Sequence, residues 1–441
     1  MHNSIWSKNV GNEKGIPEQH SLSKKIALLF FSFLLLSSCA RAIHPTELSQ
    51  RLIVADYAKE YAQPLPQGLE LPKEAIIGKS LFMVGEMHYV AANDSLKLDL
   101  VRQLSSQAGL RYLVLEINIL HAALLDYCIN EGDGILLDRL LSYMTENFNC
   151  ADTRRFWHEL LSWNTALPRE KRVRVISFEL AGYQPFYTLL PDLMPVPFKP
   201  DEFAWLQSDF DKATSPDADA YETYKSWLVF SQACISDDGS LAALFGAAGS
   251  YIVDACAHDA RLRLQSFEDF ANPDYSEIPT DIRRERRRDL ALFRGMQDLL
   301  KQSDGSVLVW YGAAHITSNY GYMNDGISRQ PSYGMSWFGE LVRADPDFAK
   351  RSLSVGLIYV DCLCYYEQVR GEATSPKFYS DQTVFGKRLA ETLQGRLYLL
   401  PTAHPSSPFD DHGIGVKTWS QYADYLVIVR GSGLADVLFI P

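Results

Sequence analysis

Short apolar runs alternate with longer segments of helical spacing along most of the 441-residue chain. The runs are Ser80–Val84, Leu110–Leu115, Val173–Phe178, Ser306–Trp310, Leu353–Val360, Leu397–Leu400 and Tyr425–Val429. Helical patterns between them include Ser95–Gln107, Leu120–Cys128 and Arg154–Leu167. This alternation predicts βαβ units, and therefore an α/β fold whose mostly parallel sheet is flanked by helices.

A proline-rich break at Pro191–Pro200 opens a stretch with few strand signals, which continues to about residue 303. Helical patterns in this stretch cover Tyr221–Phe230, Leu241–Ala260 and Asp281–Leu300. We therefore expect a helical insertion, or cap, at residues 191–303. It divides the α/β core into a first part at 76–190 and a second part at 304–441. A hydrophobic content of 47% is sufficient for a core of this size.

The N-terminal segment has the pattern of a lipoprotein signal peptide. Lys24 and Lys25 precede an apolar run, Ile26–Leu36, which is too short to span a bilayer as a helix. Leu36-Ser37-Ser38-Cys39 resembles a bacterial lipobox, in which the cysteine is acylated and becomes the first residue. We expect a signal peptide at 1–38, an acylated Cys39, and an anchor lead-in at 39–75. Ala40 favours the outer membrane, if the source has one.

The net charge of −12 becomes about −14 when the predicted leader is removed. An acidic protein repels nucleic acid at long range, so we expect no nucleic-acid partner. Six cysteines remain after Cys39. The pairs Cys128 with Cys150 and Cys234 with Cys256 are candidate disulfides in an oxidising compartment, and buried free thiols are the equal alternative.

Glutamate and histidine residues follow the first four apolar runs. The first run is followed by Glu86 and His88, the second by Glu116, the third by Glu179, and the fourth by His315. The carboxyl ends of parallel strands meet at one edge of a sheet, where ligands bind. Clustered carboxylates repel one another unless they share a cation or a proton. The sequence therefore predicts one His/Glu site.

Paired Gly-x-x-His motifs, Gly85–His88 and Gly312–His315, resemble those of the erythromycin esterase/ChaN/TraB–TIKI superfamily. The segments Val84–His88, Arg111–Glu116 and Tyr422–Val429 are similar to its opening and its last strand. The resemblance implies His88 as general base, with Glu86, Glu116 and His315 as site partners.

The esterases of this superfamily also carry an Arg-Asp/Glu pair that opens a helix before the last Gly-x-x-His. Arg288-Asp289 and Arg284-Glu285 both fit that place, and Arg288 is our candidate. Glu179 joins the site by its position at a strand end.

These residues suggest a hydrolysis reaction in which His88, oriented by Glu86 or Glu116, activates a water molecule. The water then attacks an ester or lactone carbonyl, and His315 or an arginine stabilises the oxyanion. A Gly-x-Ser-x-Gly elbow is absent from the sequence, which favours direct hydrolysis. A second possibility is a divalent metal (zinc, manganese or cobalt) held by Glu86, His88, Glu116 and His315, with the peptide cleavage that the TIKI resemblance implies. A third is haem binding in iron uptake, which the ChaN resemblance implies.

Overall fold

The computed structural model describes residues 55–88, 90–143, 150–179, 229–270, 280–316, 337–364, 377–379, 391–402 and 423–432. The chain divides into two units, 1–50 and 51–441, and every described residue belongs to the second. The predicted signal peptide and the acylated Cys39 lie outside these ranges. None of the helices within them has the length and apolar character needed to cross a membrane.

The main sheet has eight strands. They are β1 (Gln63–Pro64), β2 (Leu81–Glu86), β3 (Leu110–Leu115), β4 (Arg174–Ile176), β5 (Ser306–Gly312), β6 (Ser352–Val360), β9 (Leu397–Pro401) and β10 (Tyr425–Arg430). Their order is β1-β9-β10-β6-β2-β5-β3-β4, and all pairs from β10 to β4 are parallel. Strand β9 is antiparallel to both of its neighbours. The predicted α/β fold with a mostly parallel sheet is confirmed.

Strands β7 (Cys362–Cys364) and β8 (Lys377–Tyr379) form a separate antiparallel pair. The helices are α1 (Lys73–Ile76), α2 (Ala92–Gln107), α3 (Ile119–Glu131), α4 (Gly134–Tyr143), α5 (Ala151–Thr165), α6 (Ser240–Leu244), α7 (Gly249–Phe270), α8 (Thr280–Gln302), α9 (Ala313–Ile316), α10 (Phe338–Ala344) and α11 (Pro346–Arg351). Two short 3-10 helices lie at Arg169–Lys171 and Gly246–Ala248.

The central strands are buried along almost their whole length. Every residue of β5 and β6 is buried, as are the first five residues of β2. A parallel strand covered by helices on both faces has no polar face to present, which explains why these strands are continuous apolar runs in the sequence. Trp310 and Phe82 are among the largest fully buried side chains of this core.

Strand β4 is shorter than the predicted strand, which covers residues 173–178. It ends at Ile176, because the chain beyond it makes other contacts: the Ser177 hydroxyl donates to the carbonyl of Ile117, and Glu179 forms an isolated bridge with Asn118. This bridge continues the alignment of the two chain segments beyond the strand. It brings Glu179 to the same sheet edge as the residues that follow β3.

Side chains satisfy the backbone at the β4 end of the sheet. Asp126 Oδ1 accepts from the Val175 N–H at 2.8 Å, and Asp126 Oδ2 pairs with Arg174 Nε at 2.6 Å. Asn164 Oδ1 accepts from the Val173 N–H at 2.8 Å. Burial raises the pKa of Asp126 to about 6, although Arg174 and the Val175 N–H act against the rise. Helices α3 and α5 therefore supply the polar partners of this strand.

The predicted lead-in includes residues that pack onto the domain. Residues 55–61 are helical, and Tyr57 and Ala58 belong to a second buried cluster with Leu426 and Ile428. Strand β1 then pairs with β9. The burial of Tyr57 and Ala58 gives a physical reason why this part of the lead-in packs onto the sheet.

The helices predicted in the insertion are observed where the structure describes them. Leu241–Ala260 corresponds to α6 and α7, and Asp281–Leu300 corresponds to α8; most of Tyr221–Phe230 lies outside the described ranges. Five cysteines of the described part are buried free thiols, namely Cys128, Cys150, Cys234, Cys256 and Cys362. None of the five is bonded in the structure, but the thiols of Cys234 and Cys256 lie within hydrogen-bonding distance of each other, so that candidate pair is close in space.

Candidate active site

Four adjacent strands, β2, β5, β3 and β4, end at one edge of the sheet. Glu86 lies beside Gly312 in the β2–β5 register, and Leu115, which precedes Glu116, lies beside Trp310. Helix α9, with His315, follows β5 directly. The edge therefore assembles the site residues that the strand ends predict.

His88 is the most accessible member of the cluster. Its Nδ1 lies 3.0 Å from Glu86 Oε1, and its Nε2 lies 3.6 Å from Glu116 Oε2. The His88 side chain is 42% exposed, against 12% for Glu86 and 16% for Glu116. A carboxylate only accepts hydrogen bonds, so Nδ1 carries the proton of the neutral ring, and Nε2 is then the basic nitrogen.

The charges around His88 favour its protonated form. Burial lowers the pKa of His88, but the hydrogen bond to Glu86 and the charges of Glu86 and Glu116 outweigh it. The net effect is a pKa above the ordinary 6.5. The site therefore strengthens His88 as a proton acceptor.

The backbone next to His88 is held by two buried side chains that the sequence analysis missed. Asn93 Nδ2 donates to the carbonyl of Met87 at 2.7 Å, and the Met87 N–H donates to Tyr359 Oη at 3.3 Å. Tyr359 Oη in turn donates to Asn93 Oδ1 at 2.6 Å. The closed set of three bonds fixes the turn that leads from β2 into His88.

Glu116 is bound from several sides. Its Oε2 accepts from the Gly312 N–H at 2.8 Å, and its Oε1 lies 2.8 Å from Arg288 Nη2 and 3.5 Å from His315 Nε2. Burial opposes ionisation, but the hydrogen bond to His315 and the charges of His315, His88 and Arg288 hold the pKa of Glu116 well below its usual range. Glu116 is therefore an anion at the centre of the site.

Arg288 from α8 links two of the strand ends. Its Nε lies 2.9 Å from Glu179 Oε2, and its Nη2 contacts both Glu179 and Glu116. Of the two pairs that the sequence offers, the structure places Arg288-Asp289 in the site, while the side chains of Arg284 and Glu285 lie outside the described part. The shared guanidinium offsets the repulsion between two neighbouring carboxylates.

His315 lies deeper than His88 and is held between two acids. Its Nδ1 is 2.9 Å from Asp289 Oδ1, which also accepts from the Phe338 N–H at 3.2 Å. Burial lowers the pKa of His315, but Asp289 and Glu116 together raise it by a larger amount. The resulting pKa is about 10. His315 is therefore an imidazolium ion at neutral pH.

Gly312 allows the strand and the cluster to approach each other closely. A Cβ at this position would lie 3.1 Å from His88 Nε2 and 3.2 Å from Glu116 Oε2. Both distances are shorter than ordinary contacts, and the Gly312 N–H is itself a donor to Glu116. Any side chain at this point would displace both groups, which gives a physical reason for the glycine of the second Gly-x-x-His motif.

Arg288 and His315 are the two positively charged groups of the site. Both are candidates to stabilise an oxyanion, and in the structure both contact carboxylates of the site. Their role towards an oxyanion stays a prediction.

The donor set does not fit the metal ion considered from the sequence. The guanidinium of Arg288 already supplies positive charge beside Glu116 and Glu179. In the described residues, no group of three or more His, Cys, Asp or Glu side chains is arranged to hold a metal.

A separate cavity of about 700 Å³ lies between α3, β4, α7 and α8. Its lining includes Arg174, Phe178, His258 and Arg294, and it does not include His88. Two further histidines lie away from the site: His121 in α3 is buried, and His158 in α5 pairs with Asp138 on the surface at 2.9 Å.

No family model matches the sequence, and no curated protein matches it. Three solved structures share the fold. A Bacillus cereus protein solved as a structural genomics target is 13% identical, with a TM-score of 0.57 over 88% of this chain and 99% of that one. A succinoglycan biosynthesis protein is 14% identical, with a TM-score of 0.58 over 88% and 99%. A mutant of the erythromycin esterase EreC in its open conformation is 13% identical, with a TM-score of 0.50 over 85% and 97%. The chain therefore has the fold of these proteins, including that of an erythromycin esterase.

Proposed function

We propose that this protein is a lipid-anchored hydrolase that activates water with His88 to cleave an ester, lactone or related carbonyl substrate. The observation that carries the proposal is the His88 geometry: Nδ1 is bound to Glu86, and Nε2 is the basic nitrogen of an accessible ring beside Glu116. The erythromycin esterase fold and the paired Gly-x-x-His motifs support the same class of reaction.

In the proposed reaction, His88 Nε2 takes a proton from water, and the water oxygen attacks the carbonyl carbon. The resulting imidazolium is stabilised by Glu86 and Glu116. Collapse of the tetrahedral intermediate breaks the bond to the leaving oxygen, which takes the proton back from His88. The carboxylic acid and the alcohol leave, and His88 returns to its neutral form.

The test is hydrolysis by the full-length protein in detergent, against a panel of esters, macrolide lactones and peptides. His88→Asn should lower kcat by at least ~100-fold, because general base catalysis contributes 10²–10⁴-fold. The matched control is His158→Asn, which changes an exposed histidine that also binds an aspartate. Equal rates for the wild type and His88→Asn would refute the proposal.

The pH dependence provides a second test of the same base. His88 acts only when it is neutral, so kcat/KM should rise with pH through the pKa of His88, which lies above 6.5. A rising limb with a midpoint at or below pH 6.5 would contradict the raised pKa.

A chelator test distinguishes this reaction from the metal-dependent alternative. Turnover that survives exhaustive chelation supports hydrolysis without a metal ion.

The lipid anchor is part of the proposal and rests on the sequence alone. Metabolic labelling with palmitate should mark the wild type, while Cys39→Ala should remain unlabelled and should leave the membrane fraction on washing. Labelling of both proteins would place the acyl chain elsewhere.

A further inference from the structure

The Glu86 carboxylate has a second buried partner besides His88. Its Oε1 binds His88 Nδ1 at 3.0 Å, and its Oε2 accepts a hydrogen bond from Trp310 Nε1. Trp310 is only 1% exposed and lies at the carboxyl end of β5, next to β2 in the sheet. Both oxygens of Glu86 are thus engaged, one by the accessible histidine and one by a rigid core side chain.

A buried cation lies over the face of the same indole. Lys97 Nζ is 5.4 Å from the centroid of the Trp310 ring and 5.0 Å from that of Phe156. It pairs with Asp94 Oδ1 at 2.9 Å, and Asp94 Oδ2 accepts from the Thr153 hydroxyl at 2.7 Å. Although burial opposes it, the charges of Asp94 and Glu86 raise the pKa of Lys97, so the ammonium stays charged.

These contacts act on Glu86 in one direction. A positive charge near the face of an indole draws electron density from the ring, which makes the ring N–H a stronger donor. A stronger donor on Oε2 stabilises the ionised carboxylate and fixes its plane. The fixed carboxylate in turn holds the tautomer and the orientation of the imidazole.

We propose that Trp310 is a positioning residue that holds the Glu86 carboxylate in place as the partner of His88, and that Lys97 is the buried cation that supports it. The proposal deepens the hydrolase function and rests on it for its catalytic consequence. The chain of contacts runs from Lys97 through Trp310 and Glu86 to His88, and its last member is the group proposed to accept the proton from water.

Trp310→Phe removes the N–H and keeps an aromatic side chain in the core. We expect kcat to fall by up to about 100-fold with KM unchanged, because a misplaced base lowers the rate without changing substrate binding. The pKa of His88, measured by NMR titration, should fall towards its ordinary value, and the rising limb of the activity profile should move to lower pH with it. Trp157→Phe, in another buried tryptophan, should change neither quantity.

The NMR readout separates this proposal from the proposed function. An unchanged His88 pKa in folded Trp310→Phe would overturn the positioning role even if the wild type hydrolyses esters. A lowered His88 pKa would support the role even if no substrate is found.

The wild type supplies a measurement that does not depend on the folding of the variant. The Trp310 indole N–H resonance should titrate together with His88, because Glu86 binds both, and Glu86→Gln should abolish that shift. An indole resonance that does not respond to the His88 titration would also overturn the proposal.

Discussion

His315 and Asp289 form a buried ion pair in the site, with His315 Nδ1 2.9 Å from Asp289 Oδ1. Raising a histidine pKa from 6.5 to about 10 stabilises the folded state while the ring is protonated. Each pKa unit is worth about 1.4 kcal/mol, which gives roughly 5 kcal/mol at most, and the burial that raises the pKa of Asp289 offsets part of this stabilisation. The stabilisation is complete below pH 6.5 and is lost as the pH rises through the folded-state pKa of about 10.

Asp289→Asn tests this reasoning with little change of shape. The amide oxygen can still accept from His315 Nδ1, but the negative charge, the largest of the contributions that raise the pKa of His315, is removed. We expect the variant to lose about 3 kcal/mol of unfolding free energy at pH 6, in the range for breaking a buried ion pair. Near pH 10 the loss should be close to zero, because His315 is then losing its proton in the wild type as well.

The assay is urea unfolding of the wild type and Asp289→Asn at several pH values between 6 and 10. The matched control is Asp138→Asn, since Asp138 binds His158 at the same 2.9 Å on the surface. An exposed pair contributes at most about 1 kcal/mol, so the control should show a small and nearly constant difference. A loss in Asp289→Asn that is equal at pH 6 and pH 10 would refute the assignment of a protonated His315.

Substitutions at Gly312 and Arg288, and the reactivity of the buried thiols, can also be measured. Gly312→Ala should lower kcat by roughly 10-fold, because the new Cβ would displace His88 Nε2 and Glu116 Oε2 slightly from their positions. Steady-state kinetics would show this, and an unchanged kcat would contradict the close approach. Arg288→Lys should lower the free energy of unfolding, measured in urea, by about 2 kcal/mol, because one ammonium cannot reproduce the guanidinium contacts to Glu116 and Glu179. A variant as stable as the wild type would contradict this. The thiols of Cys128 and Cys256, whose pKa burial raises, should react with Ellman's reagent only after unfolding, and rapid reaction in the native state would contradict their burial.

Most of the sheet could be predicted from the sequence, because each central strand is buried on both faces. That burial requires a continuous apolar run, and a run of this kind can be read directly, as in Leu81–Val84 or Leu353–Val360. The apolar runs also predict the position of the site, because the polar residue after each run lies at the carboxyl end of a parallel strand. Glu179 shows the limit of this argument, because β4 ends earlier than its apolar run and a separate bridge brings Glu179 to the edge.

The supporting residues of the site could not be predicted, because they resemble ordinary core residues. Trp310 and Tyr359 lie within apolar strands, and their polar atoms find partners only through the lateral order of the strands. The choice of Arg288-Asp289 over Arg284-Glu285 depends on the position of α8 along its own axis, because residues four apart share one face of a helix. A one-turn difference in a highly charged helix leaves no signal in the sequence, whereas the contacts to Glu179 and His315 identify the pair.

The side-chain partners at β4 have a consequence for how this protein behaves in a crowded compartment. An edge strand with available N–H groups is a template to which a strand of another molecule can add, and such addition leads to aggregation. The N–H groups of Val173 and Val175 are already bound by Asn164 and Asp126. Replacing either acceptor with alanine would expose a short template at this border, so these two polar residues protect the protein from self-association as well as stabilising its fold.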